Sequence, residues 1–487
     1  MAVSAGNRRR GIISTTTAVI ACAVMVAGCS QAISGTPTTP GSSATNTVAG
    51  LPATDGPSGP KPGAPEANLP VEGTDGSEMD KLAKAAVADV DAYWEEAFPE
   101  TFNGKKFEPV KRLMSYDSRG PGAQVCGQST QGLVNAFYCP TEDSIAWDRA
   151  ELLPQLNSTF GPMSAVAVIA HEMGHAVQHR AGTVSGNDAT IVLEQQADCF
   201  AGAYFRHVAE KNSEYFQVST GNGLNNVMGV LNMIRDGAGT DFAGEGAHGS
   251  AFDRVTAFQY GFGEGPKRCA KMDAADVKQR TTAFKFWKEG QEQDLPVTAE
   301  TVDAVEESLQ EVFRDTGAEP PSITTKTGSC PGTKPTSPAS YCPDTNTVSL
   351  DLAELEKIGK QPDPANPDPA YGDFAAYAQV ASRYVLSIQK AAGMSLDDEA
   401  AGLRTACLVG SWTGLLVEDP IGQRNPVGKL RIAPGDVDEG VSALLGEDSL
   451  IAANLSGQQV PAGFARVDAF RVGFQEGTAS CSAKYGG

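Results

Sequence analysis

Three of the five histidines in this chain of 487 residues lie close together, in the segment VIAHEMGHAVQHRAG at residues 168–182. His171 and His175 are four residues apart, so on a helix their imidazoles lie one turn apart on the same face, where two side chains can bind one zinc ion. Glu172 lies beside His171 and can act on water at such an ion. This HExxH pattern predicts a catalytic zinc site, although two buried histidines can also be hydrogen-bonded core residues.

A third metal ligand is needed beside the two histidines. The pattern HExxHxxGxxH would require glycine at 178 and histidine at 181, but Gln178 and Ala181 stand there. The next apolar segment, LEQQADCFAGAYF, instead places Glu194 and Asp198 one helical turn apart, in an ExxAD arrangement that resembles zincins of the gluzincin type. The resemblance implies that Glu194 is the third ligand and that Asp198 orients a ligand histidine, since a ligating imidazole usually donates its other N–H to a carboxylate. A solvated acidic helix face is the alternative interpretation.

Two other histidines are not assigned to the site. His179 lies two turns from His171 on the same predicted helix, too far along it to share an ion with the other ligands, so we expect it at the surface. The sequence indicates no site role for His207.

The histidines lie on a predicted buried helix. The segment MSAVAVIAHEMGHAVQ is apolar on nearly every face, contains no proline and is followed by a helix-ending glycine, Gly182. An amphipathic helix is predicted earlier, in EMDKLAKAAVADVDAYWEEAF, and strand-like runs such as SIAWD lie between the two helices. The pattern favours a helix-rich α+β domain.

The cysteines indicate an internal duplication. Cys22 and Cys29 lie near the N-terminus, and the other eight form two sets of four that are offset by about 210 residues. Similar text surrounds both sets, for example FYCPTEDSIAWDRAEL and SYCPDTNTVSLDLAEL. We therefore predict two homologous domains, at residues 78–295 and 296–487.

Four cysteines in each domain of an exported chain favour two disulfides per domain, although buried free thiols are the alternative. Four cysteines allow three pairings, and the sequence does not choose between them. We favour pairing the near cysteines with each other and the far cysteines with each other. The predicted bonds are Cys126–Cys139, Cys199–Cys269, Cys330–Cys342 and Cys407–Cys481.

The second copy lacks every predicted metal and base residue. Aligning AHEMGHAVQHRAG with ASRYVLSIQKAAG, and Cys199 with Cys407, replaces the histidines and acids by residues that cannot bind zinc or act as a base. The second copy is therefore predicted to be a degenerate, metal-free pseudopeptidase domain. The replacements are Ser382 for His171, Arg383 for Glu172, Leu386 for His175, Gly402 for Glu194 and Ala406 for Asp198.

The N-terminus has the features of an export signal. A basic run, Arg8 to Arg10, precedes an uncharged apolar stretch, and the segment VAGCS then places small residues directly before Cys29. This arrangement resembles the lipobox of bacterial lipoproteins, which implies cleavage after residue 28 and a lipid on Cys29. An uncleaved transmembrane anchor is the alternative, although the apolar run is short for a span. Either interpretation places the rest of the chain outside the cytoplasm.

Residues 29–77 are predicted to be a disordered linker between the lipid and the folded domains, because glycine, serine, threonine and proline dominate there. The net charge of the chain is −21, and removal of the signal, with three arginines and no acids, makes the remainder more negative still. Nucleic acid and anionic lipid headgroups are therefore not expected partners, and the membrane would be reached through the lipid.

Several segments together resemble the neutral zinc metallopeptidase family, a gluzincin-like group. The segments HEMGHAVQHRAG, LEQQADCFAGAY, FYCP and HGSAFDRVTAFQYGFGEG match it in order and approximate spacing across nearly all of the first domain. With its lipobox, linker and second repeat, the whole chain resembles actinobacterial lipoprotein peptidases of the LpqM type. The resemblance implies a zincin-like fold for both copies and peptide-bond hydrolysis by the first.

The implied mechanism uses one zinc ion, in the first domain. His171, His175 and Glu194 would hold it, and Glu172 would take a proton from zinc-activated water and deliver it to the leaving amine. By analogy with gluzincins, His248 is the candidate second donor to the oxyanion, although a structural role in its loop is equally open. Arg254 recurs in the second copy, which indicates a structural role.

These features predict a lipid-anchored metallopeptidase on the outer face of the cell membrane, with proteins or peptides of the cell envelope as substrates. The competing hypothesis is a non-catalytic envelope binding or assembly lipoprotein with a structural zinc site. A third hypothesis is zinc-dependent hydrolysis of a non-peptide envelope component. Glu172 separates the first two hypotheses, because a structural site needs no base and usually closes its fourth position with a protein ligand.

Overall fold

The computed structural model describes residues 47–185, 188–237, 247–280, 294–326, 330–362, 370–417 and 427–486. The predicted signal, Cys29 and residues 30–46 lie outside them. Among the described residues, none of the helices combines the length and the apolar character that crossing a membrane requires.

The first half of the chain combines short strands with longer helices. The helix predicted before the histidines is confirmed, and the Ser77 side chain caps its N-terminus by accepting from the Asp80 N–H. The strands are β1 Thr47–Val48, β2 Leu51–Pro52, β3 Gly59–Pro60, β4 Arg112–Tyr116, β5 Gln124–Val125, β6 Gln128–Ser129, β7 Ala136–Cys139, β8 Ser144–Asp148 and β9 Phe216–Gln217. The helices are α1 Glu78–Thr101, α2 Leu152–Phe160, α3 Pro162–Ala181, α4 Thr190–Ala209, α5 Asn222–Met233, α6 Ala251–Glu264, α7 Pro266–Cys269 and α8 Ala274–Arg280.

In the part of the chain that the structure describes, the second half contains fewer strands and a comparable number of helices. It contains the strands β10 Ser322–Thr324, β11 Ala339–Cys342 and β12 Thr347–Leu350. Its helices are α9 Ala299–Val312, α10 Leu352–Ile358, α11 Asp373–Ala391, α12 Ala401–Leu416, α13 Asp436–Leu445, α14 Gly463–Glu476 and α15 Thr478–Tyr485. The helix-rich α+β class predicted from the sequence is confirmed.

Each half has one three-stranded sheet with the same order and directions. In the first half β8 is central, with β4 parallel on one side and β7 antiparallel on the other. In the second half β12 is central, with β10 parallel and β11 antiparallel. Strand β7 is therefore an edge strand, and it passes beside helix α3.

Helices α4 and α6 cross at very short range, and so do α12 and α14. A Cβ atom at Gly261 of α6 would lie 1.7 Å from the carbonyl oxygen of Cys199 in α4, and one at Gly473 of α14 would lie 1.7 Å from that of Cys407 in α12. Only glycine permits such crossings, because any side chain would meet backbone.

The two halves are joined through α5 and α6 of the first and α13 and α14 of the second. The Phe252 N–H donates to Asp438 Oδ1 at 3.0 Å, and Asn232 Nδ2 donates to Ser442 Oγ at 3.0 Å. The Phe252 ring packs against Phe474 with centroids 4.8 Å apart. The hydrophobic core is continuous across this contact.

The linker prediction is wrong for residues 47–77. Strand β3 pairs with β9, the Thr54 N–H donates to Thr220 Oγ1 at 2.8 Å, and Glu72 forms a β-bridge with Met114. Val48 is fully buried. The composition of this segment does not let it form a core of its own, but hydrogen bonds to an already folded surface hold it in place.

Four disulfides join cysteines within the described part of the chain, and they follow the favoured pairing. Each half has a short loop close to the sheet and a long loop that joins two helices. The bonds are Cys126–Cys139, Cys199–Cys269, Cys330–Cys342 and Cys407–Cys481.

Candidate metal centre

Helix α3 carries the HExxH residues through the core of the first half. It begins with Pro162 at its first position and ends at Gly182, which adopts the left-handed conformation with φ 70°. Gly174 lies against α4, where a Cβ atom would come within 2.9 Å of the Ala197 Cα. This close approach brings the acidic residues of α4 to the histidines of α3.

The three predicted metal ligands converge on one point. His171 Nε2 lies 3.1 Å from Glu194 Oε2, and His175 Nε2 lies 3.4 Å from Glu194 Oε1. Two ligand atoms on a tetrahedral zinc ion, at bond lengths of about 2.0–2.1 Å, are about 3.3 Å apart. Two imidazole nitrogens and one carboxylate at these separations fit a zinc ion without rearrangement of the helices.

Asp198 contacts the ring nitrogen of His171 that faces away from Glu194. Its Oδ1 lies 2.8 Å from His171 Nδ1, so the other ring nitrogen is directed toward Glu194. Arg254 donates to both oxygens of Asp198, from Nε and Nη2, each at 2.9 Å. Both the aspartate and the arginine are fully buried. The structural role expected for Arg254 is therefore to compensate the buried charge of Asp198.

His175 is held in the same way by a different residue. Its Nδ1 lies 3.0 Å from Gln178 Oε1, and Gln178 also donates to the Leu193 carbonyl, which precedes Glu194. Sequence reasoning used Gln178 only to exclude another ligand pattern and missed this contact. The signal was available, because Gln178 lies one turn after His175 on the same helix face.

The charges around the three ligands favour a cation. Burial opposes protonation of His171, but Asp198 and Glu194 outweigh it and raise the pKa of His171 to about 10. Burial likewise works against the charge on Glu194, yet the two histidines lower its pKa well below the usual value. Protons bound here would be released when a metal ion takes their place.

Glu172 lies in the same cleft and is held by an edge strand. The Tyr138 N–H of β7 donates to Glu172 Oε2 at 2.8 Å. Burial raises the pKa of the Glu172 carboxyl, although the neighbouring histidines act against this. The donor is a backbone group, so no sequence pattern could have indicated it.

His248 lies at the rim of the cleft. Its N–H donates to Asp236 Oδ2 at 2.6 Å, its Nδ1 lies 3.2 Å from Asp236 Oδ1, and its Nε2 is 4.0 Å from Glu194 Oε2. The histidine side chain is 45% exposed, so a substrate could reach it. Asp236 was not identified from the sequence.

The remaining histidines lie elsewhere, as expected. The His179 ring is 6.2 Å from the Tyr138 ring, and His207 packs against Tyr93 at 5.1 Å. Neither lines the cleft, which has a volume of about 410 Å³ and is bounded by α3, by β7 and by the end of α5.

Arg383 and Gly402, which the sequence alignment pairs with Glu172 and Glu194, are packed against backbone of the second half. The Arg383 guanidinium donates to the carbonyl groups of Asn454, Leu450 and Ala453 at 2.8–3.0 Å and is fully buried. A Cβ atom at Gly402 would lie 2.6 Å from the Ala452 carbonyl oxygen. The positions that align with Glu172 and Glu194 therefore serve packing.

Comparison with known proteins finds a family match within the first half. Residues 46–272 match the model of the family described as "Putative neutral zinc metallopeptidase". The match includes every candidate site residue of the first half and begins within the segment that had been predicted to be a linker. The family resemblance is confirmed for this part of the chain, and the closer likeness to LpqM-type lipoproteins stays a prediction.

Curated relatives carry no functional description. An uncharacterized protein of Mycobacterium tuberculosis is 28% identical over 211 residues, which cover 39% of this chain and 69% of the relative. The uncharacterized protein YpfJ of Escherichia coli is 26% identical over 215 residues, which cover 39% of this chain and 71% of the relative. No solved structure gives a significant match.

Proposed function

We propose that this protein is a zinc-dependent metallopeptidase that hydrolyses peptide bonds in a cleft of its first half. The observation that carries the proposal is the convergence of His171 Nε2, His175 Nε2 and the Glu194 carboxylate, with Glu172 in the same cleft. A zinc ion bound by those three residues supplies a Lewis acid that polarises a carbonyl group and lowers the pKa of water toward about 7.

Glu172 acts as the general base and then as the acid. The Tyr138 N–H holds one of its oxygens, Oε2, and so orients the carboxylate in the cleft. Burial raises the pKa of Glu172 and so makes its carboxylate a stronger base. The carboxylate can therefore accept a proton from the attacking water and pass it to the leaving amine. This assignment makes Glu172 essential for hydrolysis and dispensable for metal binding.

His248 stabilises the oxyanion that forms during attack. In its doubly protonated form the ring donates Nδ1–H to Asp236 and keeps Nε2–H for the substrate oxygen. Its exposed position at the rim, 4.0 Å from Glu194, supports this role.

The second half, residues 296–487, is proposed to be a degenerate copy of the peptidase domain that binds no zinc at the equivalent site. Three features support the duplication: the equal strand order of the two sheets, the similar disulfide spacings of 70 and 74 residues, and the similar helix crossings at Gly261 and Gly473. The buried Arg383 supports the loss of the metal site. The first domain is then residues 47–295, because residues 47–77 pack onto it.

We further propose that the chain is a lipoprotein on the extracytoplasmic face of the membrane. The support is the sequence of residues 1–29, with Cys29 as the lipid site. A membrane-anchored peptidase would act on proteins or peptides of the cell envelope.

The deciding experiment uses the chain without residues 1–29. Metal content and hydrolysis of an unfolded protein are measured for the parent, for Glu172→Gln and for Glu210→Gln, a control at an exposed residue just after helix α4. We expect one zinc in all three proteins and hydrolysis in the parent and the control only. Zinc without hydrolysis that depends on Glu172 would favour a binding protein with a structural metal site.

A further inference from the structure

A second group of ligand-type residues lies in the other half of the molecule. Asp294, Asp373 and Glu439 each bring a carboxylate oxygen to within 4.8 Å of the others. Asp294 lies before helix α9, Asp373 begins α11, and Glu439 is in the first turn of α13. None of the three lines the zinc cleft.

The group concentrates negative charge in a largely buried place. Asp373 is 2% exposed and Glu439 is 9% exposed, while Asp294 reaches the surface. Burial and neighbouring carboxylates raise the pKa of Asp373 to about 6 and that of Glu439 to about 8, and they also raise the pKa of the adjacent Asp436. The charged groups that shift the pKa values of Asp373 and Glu439 are carboxylates of the same group.

Hydrogen bonds satisfy four of the six carboxylate oxygens, and one of the other two is buried. The Leu295 N–H donates to Asp373 Oδ2 at 2.6 Å, and the Phe374 N–H donates to Glu439 Oε2 at 3.0 Å. Asp373 Oδ1 is buried and has no hydrogen-bond partner among the described residues. A buried carboxylate oxygen without a donor is costly, so this atom points to a missing partner.

The absence of a side chain at Gly372 leaves room for the Glu439 carboxylate. Gly372 has φ 114°, and a Cβ atom there would lie 1.9 Å from Glu439 Cδ. Gln361 Nε2 bridges Asp294 Oδ2 at 3.1 Å and Glu439 Oε1 at 3.0 Å. Rotation of this amide by 180° would present its oxygen to the same point, which adds a fourth oxygen ligand.

We propose that Asp294, Asp373 and Glu439 bind one calcium ion. Zinc prefers nitrogen and sulfur ligands, and magnesium requires a tight octahedron, whereas calcium accepts irregular sets of oxygen ligands. Two oxygens on opposite sides of calcium, bonded at about 2.4 Å, are about 4.8 Å apart, so three carboxylate oxygens that all lie within 4.8 Å of one another can bind one such ion.

The ion would connect the segment that enters the second half with two of its helices. The Tyr377 hydroxyl of α11 already donates to the Leu295 carbonyl at 3.1 Å. Helix α13 also contacts the first half, since Asp438 accepts the Phe252 N–H. Calcium should therefore stabilise the fold as a whole, independently of the peptidase activity.

The test is calorimetric titration of calcium chloride into the chain without residues 1–29, with the first site saturated by zinc beforehand. We expect one calcium per chain with a Kd of about 10⁻⁴–10⁻³ M, and an unfolding temperature that rises with calcium concentration. Glu439→Gln and Asp373→Asn should each weaken binding at least about tenfold, as expected for loss of a charged ligand. Glu354→Gln, at a half-exposed residue of α10, is the matched control and should bind as the parent does.

Asp294→Asn covers the case in which a buried variant fails to fold, because Asp294 is exposed. It should fold normally and bind calcium more weakly. Absence of binding in the parent up to about 10 mM calcium, well above the range of protein sites, would overturn the proposal. Unchanged binding by folded Asp294→Asn and Glu439→Gln would overturn it as well.

Discussion

Asp198 Oδ1 lies 2.8 Å from the Nδ1 of His171, with both residues buried. The same carboxylate accepts two hydrogen bonds from Arg254 of α6. Three helices are thus connected through one side chain, and the orientation of a proposed zinc ligand depends on an ion pair behind it.

Asp198→Asn should weaken zinc binding about 10–100-fold, because His171 loses the acceptor that orients its ring. It should also lower the free energy of unfolding by about 3–5 kcal/mol, since Arg254 would remain as an uncompensated buried charge. Competition with a chelator and chemical denaturation measure the two effects. Parent-like zinc affinity in a folded variant would show that Asp198 does not orient the ligand.

Gly261→Ala should prevent the first half from folding, because the new Cβ would meet the Cys199 carbonyl oxygen at 1.7 Å. The matched control is Gly263→Ala on the same helix, where the nearest atom is the Ala49 Cβ at 3.7 Å. The control should increase stability by about 0.5–1 kcal/mol through helix propensity. Soluble yield and thermal unfolding distinguish the two variants, and equal behaviour would contradict the crossing seen here.

Introducing the metal residues into the second half should not create a zinc site. The variant combines Ser382→His, Arg383→Glu, Leu386→His and Gly402→Glu. A side chain at Gly402 would meet the Ala452 carbonyl oxygen at 2.6 Å, and the carbonyl groups bound by Arg383 would lose their donors. Zinc content should stay at one per chain, and a second tightly bound zinc in a folded variant would refute the expectation.

Asp253→Asn should change how stability depends on pH. Burial raises the pKa of Asp253 to about 6, above its value of about 3.9 in an unfolded chain. The folded state therefore binds this proton more tightly, and the resulting stabilisation, full below about pH 4, is lost as the pH rises through about 6. The free energy of unfolding of the asparagine variant, measured relative to that of the parent, should therefore rise by about 2–3 kcal/mol from about pH 4 to about pH 7. Denaturation curves of both proteins at the two pH values test this. The same difference in unfolding free energy at both pH values would contradict the prediction.

Removing the long-loop disulfide should cost more stability than removing the short one. The loop between Cys199 and Cys269 spans 70 residues and that between Cys126 and Cys139 spans 13. Loop-closure entropy predicts losses of about 4 and about 3 kcal/mol when each pair is changed to serine. Denaturation of the two double variants measures the order, and the reverse order would indicate that local packing outweighs chain entropy.

Local patterns were sufficient for the helices and for the side chains that converge at the candidate metal centre. The spacing of His171 and His175 on one apolar helix, and of Glu194 and Asp198 on the next, determines which side chains can share a face, because helical periodicity is a local property. The offset of about 210 residues between the cysteine sets indicates that both halves share one pairing, but it does not choose among the three that are possible.

Contacts between distant segments were decided only in the tertiary structure. The Tyr138 N–H that holds Glu172, the Asp236 carboxylate that holds His248, and the ordered course of residues 47–77 all depend on surfaces that exist only after folding. Composition and periodicity describe what a segment can bury by itself. They do not describe hydrogen bonds made to a partner more than a hundred residues away, such as that of Thr54 with Thr220. For that reason the sequence predicted the candidate ligands and Asp198, but not the groups that hold Glu172, His175 and His248.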